Sequence, residues 1–277
     1  INPDGTRTGR PSCTSPNLYN LPRADTIEGK MLRHCFAAPD GWVFVELDHS
    51  QLEVRIAADQ SGDEVMLDTF RAGVDFHLRA ARLIAPAMWP GLDPQTITAD
   101  SKERTLAKAC CFGVLYDDSV YGLAYRMGVA PDLAEKVRDA LFGQFKGLAA
   151  YIKRCVREGQ ATGYARTWWG GGPGRRRWLM EMFGPDEKEA KTAYRATWNT
   201  PVQGTGSDVL LEGLVKTVDW IKSEDVPAQP CAAIYDAVLA VVREDVLEEY
   251  LYTVPRLMTS VRTRFGRAAG GRLQGRE

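Results

Sequence analysis

Trp42-Val43-Phe44-Val45-Glu46-Leu47-Asp48, followed at once by His49-Ser50-Gln51-Leu52-Glu53-Val54-Arg55-Ile56, is the stretch whose reading decides the fold. Its first half is a mostly apolar run of strand length that ends in an acid. From Ser50 the spacing turns helical, with Leu52, Ile56 and Asp59-Gln60 marking the helix before Gly62. A matching setting surrounds Asp236: Cys231 to Tyr235 and Val238 to Val242 are apolar runs flanking Asp236-Ala237, a hairpin pattern with the acid at its tip. Two carboxylates at strand ends can share a pair of magnesium ions about 3.5–4 Å apart, clamping attacking and leaving oxygens. Magnesium prefers such oxygen ligands and keeps water and substrate phosphates in its shell. Taken singly, each acid is better explained as a residue that ends a strand in a turn.

Outward from these two points, residues 1–40 are rich in Pro, Gly, Asn and Thr and read as turns with short extended pieces. Helical stretches are expected near 64–72 and 75–85, then a loop holding Pro86, Pro90, Gly91 and Pro94. Ser101 is an N-cap candidate for a helix to about 115. Helices continue to about 160, punctuated by Gly128-Val129-Ala130-Pro131 and by Gly143 to Gly147. Gly163 to Trp168 reads extended and leads through a Gly-rich turn to Arg175-Arg176-Arg177, a basic run that suits either template phosphates or a solvated turn. A long helix is expected over 186–222, bent near Pro201, and a last one over 245–265. The tail, Gly266 to Glu277, reads as frayed. The class is α/β of the α+β type, with an antiparallel sheet.

The 277 residues can bury a full core as one large domain or two interleaved lobes. A hydrophobic fraction of 44% and a charged fraction of 26% are ordinary for a globular protein. No run approaches the ~20 apolar residues of a membrane span, so no membrane partner is expected. Six cysteines without a C-x-x-C pair suggest neither a disulfide framework nor a zinc site. They fit reduced thiols in a cytoplasmic protein. A net charge of -1 does not by itself propose a nucleic-acid binder, though a basic groove can hide within a balanced total.

Two further constellations have helical spacing. Arg104, Lys108 and Phe112 recur at steps of four, so two cations and an aromatic share one helix face. Such a face could bind a triphosphate and stack a base, or be a solvated basic edge over a core Phe. Arg195, Asn199 and Gln203 repeat the step of four, with donors suited to phosphate and base edges or to an ordinary polar face.

Together, and in order, these segments resemble the family A, polymerase I-like DNA polymerases. Thr8-Gly9-Arg10 and Pro16-Asn17-Leu18-Tyr19-Asn20-Leu21-Pro22 look like that family's T-G-R…P-N-L-Q-N-I-P segment. Asp48 to Arg55 resembles motif A, D-Y-S-Q-I-E-L-R, and Asp75-Phe76-His77 the D-I-H that follows. Arg104 to Tyr116 matches motif B, R-x3-K-x3-F-G-x2-Y; Asn199 to Thr205 resembles N-x-P-x-Q-G-T; Tyr235-Asp236-Ala237 stands where motif C has H-D-E. The matches run from about residue 8 to 242, most of the chain.

The resemblance implies a right-hand polymerase with a palm split between 1–74 and 186–277 and helical fingers over 75–185. It implies two Mg2+ ions on Asp48 and Asp236, and primer–template DNA and dNTPs as partners. Gln51, Glu53, His77, Arg104, Lys108, Phe112 and Tyr116 would bind the nucleotide, with Glu53 as the steric gate against a ribose and Lys108 also a catalytic proton donor. Arg10, Arg195, Asn199 and Gln203 would contact DNA. The thumb is absent or truncated, with thumb or exonuclease supplied by further sequence or another chain. The expected setting is the cytoplasm of a bacterial or phage-infected cell, near the nucleoid.

Four departures stand out: Tyr235 and Ala237 in motif C, Asp117 after the motif B tyrosine, extra glycines over Trp168 to Arg177, and no clear counterpart of the family's final strand. The first two leave open a catalytically weakened fold that serves as a DNA-binding module. A single-subunit RNA polymerase is opposed by Glu53, and a two-metal nuclease leaves motif B without a role.

Overall fold

The computed structural model describes residues 2, 5–22, 26–115, 119–169, 172–261 and 273–276. The chain divides into two compact units. One comprises 1–56, 166–177 and 200–277, and the other 57–165 and 178–199.

In chain order the elements are α1 (Ile27–Arg33), β1 (Trp42–His49), α2 (Leu52–Ser61), α3 (Glu64–Arg71), α4 (Phe76–Met88), α5 (Lys102–Leu115), α6 (Val120–Met127), α7 (Pro131–Gln144) and α8 (Lys146–Thr162). There follow β2 (Tyr164–Trp169), β3 (Gly172–Trp178), α9 (Glu187–Ser223), β4 (Ala228–Ile234), β5 (Ala237–Arg243), α10 (Leu247–Thr259) and β6 (Leu273–Arg276).

The first unit is built on a four-stranded antiparallel sheet of order β4-β5-β1-β6. Alternation along β1 sends Val45 and Leu47 to one face, opposite Ala240 and Val238 of β5. That face packs on Leu210 of α9 and on Tyr250, Val254 and Met258 of α10. Asp48 points from the pleat to the opposite face and is half-buried. Two sequence expectations are corrected in this unit. Residues 1–40 contain a helix, α1, whose N-terminus is capped by Thr26 accepting from the Gly29 N–H. Of the tail read as frayed, Leu273–Arg276 is instead a strand that pairs with Glu46–His49, a final strand that was not expected, and the rest of Gly266 to Glu277 lies outside the described residues. An open strand edge offers backbone groups to any extended segment, whatever its side chains.

The second unit is helical. α4 packs on α5 and α7, and α6 on both α5 and α7. α6 ends at Gly128 in the left-handed region, and α7 opens with Pro131 in its first turn, where no N–H is required. Pro86 lies inside α4, not in a loop. Burial of Ile84, Ala85 and Met88 holds the helix through it, and the Trp89 N–H closes the end on the Ala85 carbonyl. α9 likewise continues through Pro201. Among the described residues no helix is long and apolar enough to cross a membrane.

Candidate active site

The first unit brings the two strand-end acids to neighbouring strands. Asp48 stands across from Ala237 in the β1–β5 ladder, and the His49 N–H donates to the Asp236 carbonyl at 3.1 Å. Asp236 sits in the two-residue turn between β4 and β5, since Ile234 pairs with Ala237. Its neighbour Tyr235 takes a φ of 56°, a left-handed conformation that such hairpin turns usually reserve for glycine. The Tyr235 hydroxyl bonds to Asn20 Oδ1, and its ring lies 6.0 Å from that of Tyr19. Both residues of this tyrosine pair were passed over as site residues in the sequence, because nothing local links position 19 to position 235.

Behind Asp48 the chain turns sharply. Gln51 has a φ of 58° and its Oε1 is buried without a hydrogen-bond partner. Arg55 Nε donates to the Ser50 carbonyl, which ties this turn to the start of α2. Glu53, in the first turn of α2, is 9% exposed and is ion-paired with Arg10. Burial raises its carboxyl above the usual range; Arg10 opposes the rise and the Asp236 charge adds to it. Arg10, expected on DNA, thus engages Glu53 in this state.

The donor set suits magnesium, because two carboxylates lie at the ends of adjacent strands. Among the described residues no group of three or more His, Cys, Asp or Glu is gathered as a metal cluster. Ala237, standing where the family has an acid, is directly opposite Asp48. The remaining ligands would therefore be water and phosphate, as magnesium favours.

In the second unit, α5 carries Arg104, Lys108 and Phe112 along one face while Ala107, Cys111 and Val114 are buried. Arg104 is held by Asp75 through Nη2 at 2.7 Å and Nε at 3.3 Å. Asp75 is also the N-cap of α4, accepting from the Leu78 N–H. Burial works to raise the Asp75 carboxyl, but its bonds from Arg104 and Leu78 hold it below its ordinary value. Lys108 is exposed, its Nζ 6.0 Å from the Phe112 ring centre. His77 is only 2% exposed, with its ring 5.5 Å from Phe112. Burial pushes its pKa down to about 4, with Lys108 and Arg104 adding to the fall and Asp75 resisting it. His77 is thus neutral near pH 7.

Arg195, Asn199 and Gln203 all lie on α9 and are half-buried, and Asn199 Oδ1 is buried without a hydrogen-bond partner. Tyr116 and Asp117 lie outside the described residues. Of the basic run, Arg175 is turned onto protein: Nε meets Asp208 at 2.8 Å, and Nη2 meets the carbonyls of Thr8 at 2.9 Å and Gly204 at 3.3 Å. Arg177 Nη1 donates to Thr200 Oγ1 at 3.1 Å. Sequence reasoning missed this bracing role, which depends on partners up to 167 residues away.

Comparison with known proteins supplies the context for these sites. The chain is 34% identical to DNA polymerase I of Chloroflexus aurantiacus over 93% of its own length and 26% of that protein's. It is 35% identical to the thermostable DNA polymerase I of Thermus filiformis, over 93% of its length and 29% of the relative's. Among solved structures it resembles the POL domain of Pol1 from M. smegmatis in complex with DNA primer-template and dNTP. The TM-score is 0.82 at 28% identity, covering 97% of this chain and 47% of that one. The chain thus spans under a third of the length of these curated relatives. The sequence description of DNA polymerase family A matches residues 1–266, nearly the whole chain. With motif order, sheet topology and that match in agreement, the chain belongs to DNA polymerase family A.

Proposed function

We propose that this chain is the palm and fingers of a template-directed DNA polymerase that adds dNTPs to a primer 3′-hydroxyl. The observation that carries this is the placement of Asp48 and Asp236 on adjacent strand ends of a family A fold. The sheet-bearing unit corresponds to the palm and the helical unit to the fingers. Asp48 and Asp236 would hold two Mg2+ ions, which when bound supply Lewis-acid stabilisation of the developing charge.

Lys108 and Arg104 neutralise the triphosphate, and Lys108, exposed and cationic, gives a proton to the departing pyrophosphate. Arg104 exchanges Asp75 for phosphate oxygens as it does so. His77, buried and neutral, contributes an N–H rather than a charge. Gln51, in the turn that follows Asp48, contacts the nucleotide. Phe112 and Tyr116 pack on sugar and base, while Glu53 fills the space that a 2′-hydroxyl would need. Arg195, Asn199 and Gln203 contact the primer–template, reading minor-groove acceptors that differ little between base pairs. The work is done at the nucleoid of a bacterial or phage-infected cell.

A second reading, a weakened fold retained for DNA binding, is favoured by one observation: Ala237 leaves the position opposite Asp48 without a carboxylate. Extension of a labelled primer–template with Mg2+ and dNTPs, beside an Asp236→Ala control, separates the two. Templated growth lost in the control supports the polymerase. A folded chain that binds primer–template but extends nothing supports the second reading.

A further inference from the structure

The ion pair between Arg10 and Glu53 joins two residues that the resemblance assigns to different tasks. Glu53 is at the first turn of α2 with its side chain 10% exposed, so its carboxylate has few alternative partners. Arg10 reaches it from a braced segment. The Thr6 hydroxyl donates to the Arg10 carbonyl at 2.8 Å, and the Ser207 hydroxyl to the Gly9 carbonyl at 2.6 Å. Arg175, anchored on Asp208, donates to the Thr8 carbonyl. Gly9 has a φ of 84°, and a Cβ there would lie 2.4 Å from the Arg175 guanidinium. Only glycine lets the segment lie this close to its brace.

A carboxylate by itself is an ambiguous wall against a ribose. It only accepts hydrogen bonds, and a 2′-hydroxyl is a donor, so a loose glutamate could welcome the group it should refuse. Exclusion requires that the carboxylate be fixed in one rotamer and that its lone pairs be engaged elsewhere. The bond from Arg10 Nη2 to Glu53 Oε1 fixes the rotamer and occupies one of the two oxygens, because a charge-assisted bond is strong and directional. We infer that Arg10, by holding Glu53, sets how strictly a ribonucleotide is refused, a role that rests on Glu53 being the sugar gate proposed above. Arg10 is then a positioning residue for sugar choice, and Arg175 stands one step behind it.

The test is the binding of a matched deoxy- and ribonucleoside triphosphate to the whole chain on a primer–template ending in a dideoxynucleotide, so that no turnover is needed. Glu53→Ala is expected to erode the preference for the deoxynucleotide, and Arg10→Ala to lower it roughly ten- to a hundredfold. Arg10→Lys should retain part of it, and the double variant should fall no lower than Glu53→Ala alone. Arg175→Ala should give a smaller loss of preference with Glu53 untouched. If Glu53→Ala erodes the preference while folded Arg10→Ala weakens both nucleotides by one factor, Arg10 acts on DNA alone and the positioning role is overturned. If Arg10→Ala fails to fold, an unchanged ratio in Arg10→Lys and Arg175→Ala overturns it equally. No preference in the parent, or no change with Glu53→Ala, rejects the sugar gate itself, and the dependent role with it.

Discussion

The two units place their charged residues by opposite means. In the sheet-bearing unit four pairings join residues distant in sequence: Asp48 with Ala237, Arg10 with Glu53, Asn20 with Tyr235, and Thr8 with Arg175. In the helical unit the basic row on α5 is set by a local repeat of four residues, and Asp75 and His77 are brought to it from the start of α4. A helix face exists wherever the helix forms, whereas the sheet site exists only once the whole unit has closed. The carboxylate site is therefore preorganised by tertiary structure, and the cationic face by secondary structure.

Several variants would sharpen or break this contrast. The largest effect is expected at the exposed cation of the helical unit: Lys108→Ala should lower single-turnover extension by about 10²–10⁴-fold, the range for loss of a general acid. It should leave thermal stability nearly unchanged, and a large fall in melting temperature would refute its being a free-standing surface feature. Next come the two cores. Leu47 of β1 and Leu141 of α7 are 2% and 1% exposed, and each truncation to Ala should cost about 2–5 kcal/mol in urea denaturation. Leu141 already borders a small void with Met66, Phe76 and Cys111, so its truncation should be the costlier of the two. The reverse order would mean that the helical core collapses more readily than the sheet core.

A third effect follows from acidification. With its pKa lowered from 6.5 to about 4, His77 binds a proton less readily in the native state than in the unfolded chain. Its contribution is full above about pH 6.5 and is lost as pH falls towards 4, to an extent of at most about 3 kcal/mol. Melting temperature against pH should fall less steeply over that window in His77→Gln than in the parent. His49, which burial also brings down to about 4, should preserve part of the slope in both. An unchanged slope in His77→Gln would show that His77 takes up no proton linked to unfolding. The smallest change is expected for Tyr235→Phe, which loses one exposed hydroxyl bond to Asn20 and should cost about 0.5–1 kcal/mol in the same denaturation assay.

What could be read from the sequence follows the same division. β1, the hairpin around Asp236, and α5 with its basic face were legible, because alternation and a step of four are periodic signals. Helix α1 was not, since its apolar residues Ile27 and Met31 are 75% and 66% exposed and mark no buried face. Its cap, Thr26, was the signal available. Pro86 concealed the end of α4 because a local rule against proline yields to burial of the residues around it. β6 carried no strand pattern; its pairing comes from the open edge of β1. Candidate site residues could be named from motifs, but their partners could not. Nothing in the spacing says that Arg104 meets Asp75, or that Arg10 meets Glu53.

The turn that carries Asp236 has a consequence for how the protein can vary. Between Ile234 and Ala237 there are only two residues, and one of them is the acid. Most hairpins keep their chemistry on the strands and let the connecting loop change length freely. Here, on the function proposed above, the loop itself carries the reacting carboxylate, so its length is not a free variable. Side chains on either side can be exchanged, as Tyr235 and Ala237 attest, without moving the carboxylate along the ladder. A single inserted residue would displace it, or slip β5 by one position and turn its buried face outward. For anyone building on this scaffold, the tip of this hairpin accepts substitution but not insertion.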